Sequence, residues 1–350
     1  MKRFFFLAAA ATAMLAACNK TEIVPADQPQ EISFVAVNKV ATKTPVDGTA
    51  FRDTDNMAVA AYIVDGAINA GGTNAPANFF DYTLFSKSGE LTWSGNPARY
   101  WPLNTATINF LAVTEVGGGV DKTKSIDFND INYASAATVV LDGNDVYNQS
   151  DLMFAAGQGT HNQGYAYTAV PMIFKHALSW INFKVATNTP AAGETSGCTI
   201  TINSITLNNA VYKGTLSLES ANAAKISPAP STGGVAATWE KGAPTAAVKV
   251  PNAGGSDAAD AVTLTSTPQL FGNGLLVVPD GYADSFTINY TLTQNGGPAN
   301  TYNYTYTLNE GVKWSMAKKY FYNITITLSE ILIAPSVEDW IDDDRTVSIN

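Results

Sequence analysis

The sequence predicts an all-β protein built as two β-sandwiches in series, and three observations carry that prediction. Apolar residues repeat every second position in several stretches: Phe286, Ile288, Tyr290 and Leu292; Tyr302, Tyr304, Tyr306 and Leu308; Tyr320, Tyr322, Ile324, Ile326 and Leu328. Such alternation places these side chains on one packed face of a sheet, and in the first stretch Thr287, Asn289 and Thr291 fall on the wetted face between them. No stretch shows a sustained helical period with caps. The 350-residue length exceeds what one hydrophobic core usually serves, so two domains are expected.

The chain opens on a segment expected to be removed. Residues 1–17 read as a signal peptide, with Lys2 and Arg3 as its charged start and residues 4–14 as an apolar run too short to span a bilayer. Ala16 and Ala17 are small enough to admit a peptidase, and Cys18 behind them supplies the one thiol placed to accept a diacylglycerol. Each buried acyl CH₂ contributes about 0.8 kcal/mol of membrane affinity. No later segment is apolar for long enough to form a transmembrane helix, so anchoring rather than crossing is expected. Residues 18–30, with Pro25 and Pro29, form a lipid-anchored tether.

A short apolar strand follows over residues 32–37, carrying Ile32, Phe34, Val35 and Val37. Behind it lies a basic, proline-punctuated loop with Lys39, Lys43 and Pro45. Residues 57–64 form a second, almost continuously apolar strand. Further strands are expected over 79–85, 90–93 and 108–113, separated by turn signals at Ser88-Gly89 and Ser94-Gly95-Asn96-Pro97. Residues 121–158 read as polar and irregular, ending in an apolar patch at Asp151, Leu152, Met153 and Phe154.

Residues 169–185 are the longest strand candidate. Within it Phe174, His176, Leu178 and Trp180 share one phase, after which Ile181, Phe183 and Val185 take over the apolar role. A phase switch of this kind marks a β-bulge or a crossing between sheets. The boundary between domains is placed just before it, giving an N-terminal sandwich over 31–168 and a C-terminal one over 169–334. Asn295-Gly296-Gly297-Pro298 fits a hairpin between two of the alternating stretches. The tail, residues 335–350, carries Val337, Ile341, Val347 and Ile349 around an acidic break at Asp342, Asp343 and Asp344. Fully extended it would reach about 50 Å; it is either a last strand with a frayed end or a strand offered to a neighbouring molecule.

The chemistry in the chain is sparse. A net charge of -10 disfavours nucleic acid and anionic membrane faces as partners. Cys18 and Cys198 are the only cysteines, and with Cys18 acylated Cys198 is left alone, so no internal disulfide is expected and Cys198 reads as a buried thiol. His176 lies on the apolar phase of its strand as a core histidine, and His161 sits in a Gly/Gln/Asn loop. Neither a Gly-x-Ser-x-Gly elbow, an HExxH pair nor a phosphate loop occurs, and no catalytic residue, metal or cofactor is assigned. Asp53, Asp55 and Asn56, like Asp342 to Asp344, lack EF-hand spacing and read as solvated acidic turns. Trp93, Tyr100 and Trp101 are either packing aromatics or a sugar-stacking platform.

Several stretches, taken together in order and spacing, resemble the fimbrillin family, the subunits of the type V pili of Bacteroidales. They are Leu15-Ala16-Ala17-Cys18, Ile32-Ser33-Phe34 ahead of a Thr/Lys loop, Thr92-Trp93 followed by Tyr100-Trp101-Pro102, and Ile108-Asn109-Phe110. Asp151-Leu152-Met153, Phe174-Lys175-His176-Ala177-Leu178-Ser179 and Leu276-Val277-Val278-Pro279 continue the series, which closes with Trp314, Tyr322 and Ile324-Thr325-Ile326. The resemblance implies two tandem transthyretin-like β-sandwich domains, exported as an outer-membrane lipoprotein acylated at Cys18. It further implies a structural role in a cell-surface fimbria and in cell adhesion. A trypsin-like protease, Arg- or Lys-directed, would cut behind the first strand, at Lys43 by preference, with Lys39 and Arg52 as alternatives. The withdrawn strand would take Ile32, Phe34, Val35 and Val37 with it. A C-terminal strand from another copy or a related pilus subunit, offering Val337, Ile341, Val347 and Ile349, would fill the slot by β-augmentation. The competing expectation is a monomeric surface lipoprotein that binds a glycan or host protein through exposed aromatics.

Overall fold

The computed structural model describes residues 30–37, 51, 55–64, 77–89, 92–102, 107–116, 126–127, 137–141, 151–160, 169–188, 197–218, 237–244, 247–252, 258–279, 283–294, 296–308, 313–328 and 330–340. Every regular element among them is a strand. The first ten are β1 (Ser33–Val37), β2 (Asn56–Val64), β3 (Ala77–Lys87), β4 (Thr92–Asn96), β5 (Thr107–Val116), β6 (Ile126–Asp127), β7 (Ala137–Leu141), β8 (Asp151–Thr160), β9 (Val170–Ile173) and β10 (Lys175–His176). Eight of these make one sheet in the order β10-β8-β5-β2-β3-β4-β1-β9.

That sheet curls around a core of its own. Ile32, just ahead of β1, meets Phe34, Met57, Val59, Phe85, Trp93, Phe110, Met153 and Met172 from β1, β2, β3, β4, β5, β8 and β9 in it. The curl brings the end strand β9 against β8. A Cβ on Gly157 would lie 2.5 Å from Met172 Sδ and 2.9 Å from the Pro171 carbonyl oxygen, so only glycine permits this approach. The opposite face of β2 and β5, with Ala58, Ala60, Leu111 and Val113, is buried against the second half of the chain. Burial on both faces explains why residues 57–64 read as an unbroken apolar run.

The second half contributes β11 (Ser179–Thr187), β12 (Cys198–Asn208), β13 (Gly214–Leu218), β14 (Ala237–Lys241), β15 (Val248–Lys249), β16 (Val262–Thr263), β17 (Gln269–Leu270), β18 (Leu275–Val277), β19 (Ser285–Gln294), β20 (Ala299–Thr307), β21 (Lys318–Ile326) and β22 (Ile331–Asp339). Two sheets face each other: β17-β11-β21-β22, with β18 also on β11, and β15-β12-β19-β20, with β16 also on β12. Phe183, Phe286 and Tyr322 fill the space between them, Phe286 lying 5.1 Å from each of the other two rings. The alternating residues of β19 and β21 point into this core as expected, Phe286, Ile288, Tyr320, Tyr322, Ile324 and Ile326 being buried. The turn between β19 and β20 holds Gly296 at a φ of 74, the left-handed conformation that favours glycine.

Two stretches differ from the sequence reading. Residues 121–158, expected to be irregular, contain β6, β7 and the first part of β8. β7 pairs antiparallel with β13, so the order β14-β13-β7-β6 is a sheet shared by the two halves. A five-residue strand whose partner lies more than seventy residues away leaves no periodic trace of its own. Residues 169–185 are not one strand but β9, β10 and the start of β11; the chain does cross between sheets, but the phase switch from Trp180 to Ile181 falls inside β11, whose two faces are both buried. β9 runs parallel to β1, β10 antiparallel to β8, and β11 parallel to β21. β9 and β10 thus complete the first sheet although they follow residue 168, and the chain changes sheets at Ala177 and Leu178.

Candidate functional site

The strand nearest the start of the described chain is an interior one. β1 pairs antiparallel with β4, Phe34 lying opposite Trp93, and parallel with β9, Phe34 lying opposite Val170. Its entry is fixed by two further bonds, Ile32 N–H to the Arg99 carbonyl at 2.6 Å and Trp101 N–H to the Gln30 carbonyl at 2.8 Å. Ile32 and Phe34 are fully buried, and the Phe34 ring meets Phe85 edge-on at 4.7 Å and Phe110 at 4.9 Å. Val35 is half-buried on the opposite face, and Val37 pairs with Ile173 at the strand's end. Withdrawal of β1 would bare a ladder on β4 and another on β9 and open a hole lined by Phe85 and Phe110. By β-augmentation a strand could fill a slot of this shape, with backbone pairing giving affinity and alternate side chains entering the hole. Phe51, packed against Trp93 at 5.2 Å and Phe174 at 5.3 Å, belongs to the same cluster and had no periodic neighbours to announce it.

The last strand stands at the other extreme. β22 pairs antiparallel with β21 along its whole length, Lys318 opposite Asp339 through Ile326 opposite Ile331, and no described strand lies on its outer side. Val337 is in β22 with its side chain 55% exposed. Ile341, Val347 and Ile349, together with Cys18, Lys39, Lys43 and Arg52, lie outside the described residues. A salt bridge between Lys318 and Asp339 closes the end of the β21–β22 pair.

Immediately past β22 the exposure ends. Trp340 is buried; its N–H donates to the Ala317 carbonyl at 2.9 Å and its indole stacks on the His176 imidazole at 3.7 Å. The same imidazole holds Asp151 through Nδ1 to Oδ2 at 2.7 Å, so His176 is a core histidine with a carboxylate partner. Asp151 starts β8, His176 ends β10 and Trp340 follows β22, three points distant in sequence that meet where the two halves join. Nothing in the local pattern of Trp340 signals this contact.

The remaining candidates resolve simply. Trp93 and Trp101 are buried, Trp101 edge-on to Phe110 at 5.8 Å, and only Tyr100 of the three aromatics is exposed. They are packing aromatics, and a sugar-stacking platform does not form from them. Cys198 is buried. Asp55 is buried rather than solvated, being the residue that leads into β2. His161, Asp53 and Asp342 to Asp344 lie outside the described residues, and among the described ones no cluster of three or more His, Cys, Asp or Glu side chains could hold a metal ion. No described helix is long and apolar enough to cross a membrane.

Comparison with known proteins bears on these features. The fimbrillin-like family matches residues 42–340. Among solved structures, a fimbrial protein from Bacteroides vulgatus superposes with a TM-score of 0.59 at 16% identity, covering 90% of this chain and 100% of the other. A cell adhesion protein from Bacteroides uniformis gives a TM-score of 0.47 at 16% identity, over 91% of this chain and all of that one. The tip fimbrial protein Mfa3 from Porphyromonas gingivalis gives 0.38 at 12% identity, with 89% and 100% covered. A search of curated proteins finds no match.

Proposed function

Because the chain belongs to the fimbrillin-like family, we propose that it is a structural subunit of a cell-surface fimbria that polymerises by strand exchange. In this reading the precursor is exported as a lipoprotein held in the outer membrane by acyl chains on Cys18. A trypsin-like protease cuts after Lys43, or after Lys39 or Arg52, and frees the first strand. The C-terminal tail of another copy, or of a related pilus subunit, then enters between β4 and β9.

One observation supports this most: the first described strand lies inside its sheet, with a partner on each side and a phenylalanine sunk into the core. Its connection to β2 is the predicted cut region, so one cleavage would separate an interior strand from the fold it completes. Replacement is favoured when the incoming strand restores the same pairing and refills the hole. Val347 and Ile349 repeat the two-residue spacing of Ile32 and Phe34.

The test is assembly of the trimmed protein. Trypsin should release a product beginning at Thr44, and that product should form a ladder of SDS-resistant, heat-labile oligomers. Deleting residues 345–350 should abolish the ladder; an unchanged ladder would refute donation by the tail.

A further inference from the structure

Strand exchange requires a boundary between the part of the tail that leaves and the part that stays. We infer that Trp340 is this boundary: β22 remains on its own β21 in the polymer, and a neighbouring copy receives only the chain beyond residue 340. The inference rests on the strand-exchange reading and adds to it which residues are shared.

The geometry at Trp340 carries the argument. β22 by itself looks releasable, since it is an edge strand with Leu332 and Val337 both more than half exposed. Its terminus is not. Trp340 is buried face-to-face on His176, which is itself held by the buried carboxylate of Asp151. The backbone around it is bonded in steps toward the first sheet. Trp340 N–H donates to Ala317, Ala317 N–H donates to the Leu178 carbonyl at 3.0 Å, and Ala177 N–H donates to the Leu152 carbonyl of β8 at 2.8 Å. The Trp239 indole N–H adds a bond to the Ala177 carbonyl at 2.8 Å. Trp180, 5.5 Å from the Trp340 ring, closes the cluster.

Pulling β22 away would therefore drag Trp340 out of the joint between the halves and uncover a buried Asp–His pair. Donating only the residues beyond Trp340 costs none of these contacts. Fully extended, those ten residues would reach about 33 Å, ample for a slot that β1 fills with five residues. They also contain Ile341, Val347 and Ile349, whereas Val337 stays behind, beside Tyr320 of β21.

A disulfide lock tests the division. Asn323 and Ala334 are directly opposed on β21 and β22, and the Asn323 amide already donates to the Ala334 carbonyl at 2.9 Å. In the Asn323→Cys, Ala334→Cys protein, trimmed and then oxidised, β22 cannot leave β21. The expected result is the same oligomer ladder with and without reductant. Loss of the ladder on oxidation, with recovery on reduction, would overturn the inference while leaving strand exchange intact. A ladder that survives deletion of residues 341–350 would overturn the inference by itself, and one that survives both that deletion and oxidation of the double-cysteine protein would remove the exchange reading as well. If the double-cysteine protein fails to fold, Val337→Asp provides a second arm. It should leave the ladder unchanged if β22 stays at an exposed edge, and should weaken it if Val337 is donated into an apolar slot.

Discussion

β1 and β22 are the first and last described strands, and they sit in opposite situations. β1 has a neighbour on each side and puts Phe34 at the centre of a core; β22 has one neighbour among the described strands and turns Leu332 and Val337 to solvent, while Ile331 and Ile333 pack on the C-terminal core. Position in a sheet, not sequence character, makes the difference. Each carries a short apolar run, VAV in β1 and ILI in β22. An interior strand is indispensable to its fold, so removing it creates strong demand for a substitute, while an edge strand can be held or lost at small cost. The molecule thus has an interior strand near one end of the described chain and a partly exposed edge strand near the other, whose end is pinned by Trp340.

The comparison can be broken most sharply at Phe34. Phe34→Ala should destabilise the untrimmed protein by about 4–5 kcal/mol, since a fully buried ring with two edge-on partners is lost; a denaturant midpoint close to wild type would mean β1 is not part of the core. Trp340→Ala should cost about 3 kcal/mol by the same cavity argument, and hydrogen exchange should then rise along β22 more than along β1.

Alkaline titration probes the strand beneath β22. Burial, the dominant cause, pushes the Tyr322 phenol up to about 12, opposed by the hydrogen bond from the Trp314 indole. The unfolded chain ionises near the ordinary value of about 10, so the stabilisation is whole below pH 10 and is lost progressively as pH rises from there toward 12. The loss should approach about 3 kcal/mol, and Tyr322→Phe should flatten that limb of the stability curve. The smallest effect belongs to Val337→Ala, expected within about 0.5 kcal/mol because the side chain is more than half exposed. A larger loss would show β22 to be covered on its outer side.

The sequence disclosed those parts of the fold that obey local rules. Alternation at Phe286, Ile288, Tyr320 and Tyr322 predicted core faces correctly, and the apolar run at residues 57–64 predicted a strand. It did not disclose features that depend on partners far along the chain. β7 exists because β13 pairs with it, and the stretch from residue 169 breaks into three strands because each finds a different sheet. At the candidate site, the short apolar strand carrying Ile32, Phe34, Val35 and Val37 was legible, but which of its faces turns inward was not. Trp340 was not, because its partners His176 and Asp151 are set by how the two halves meet.

The bond from Trp340 to Ala317 has a mechanical consequence. An edge strand tugged at its tip comes away like tape, one hydrogen bond at a time, because the whole force falls on the outermost pair. In a filament strung together by tails, tension would arrive at the tip of β22 in this unfavourable direction. The indole wedged over His176 would intercept it first and hand it, through Ala317 and Leu178, to the sheet that in the proposed exchange would grip the preceding link. The strain would then run from joint to joint along the filament and largely bypass the C-terminal sandwich hanging beside it.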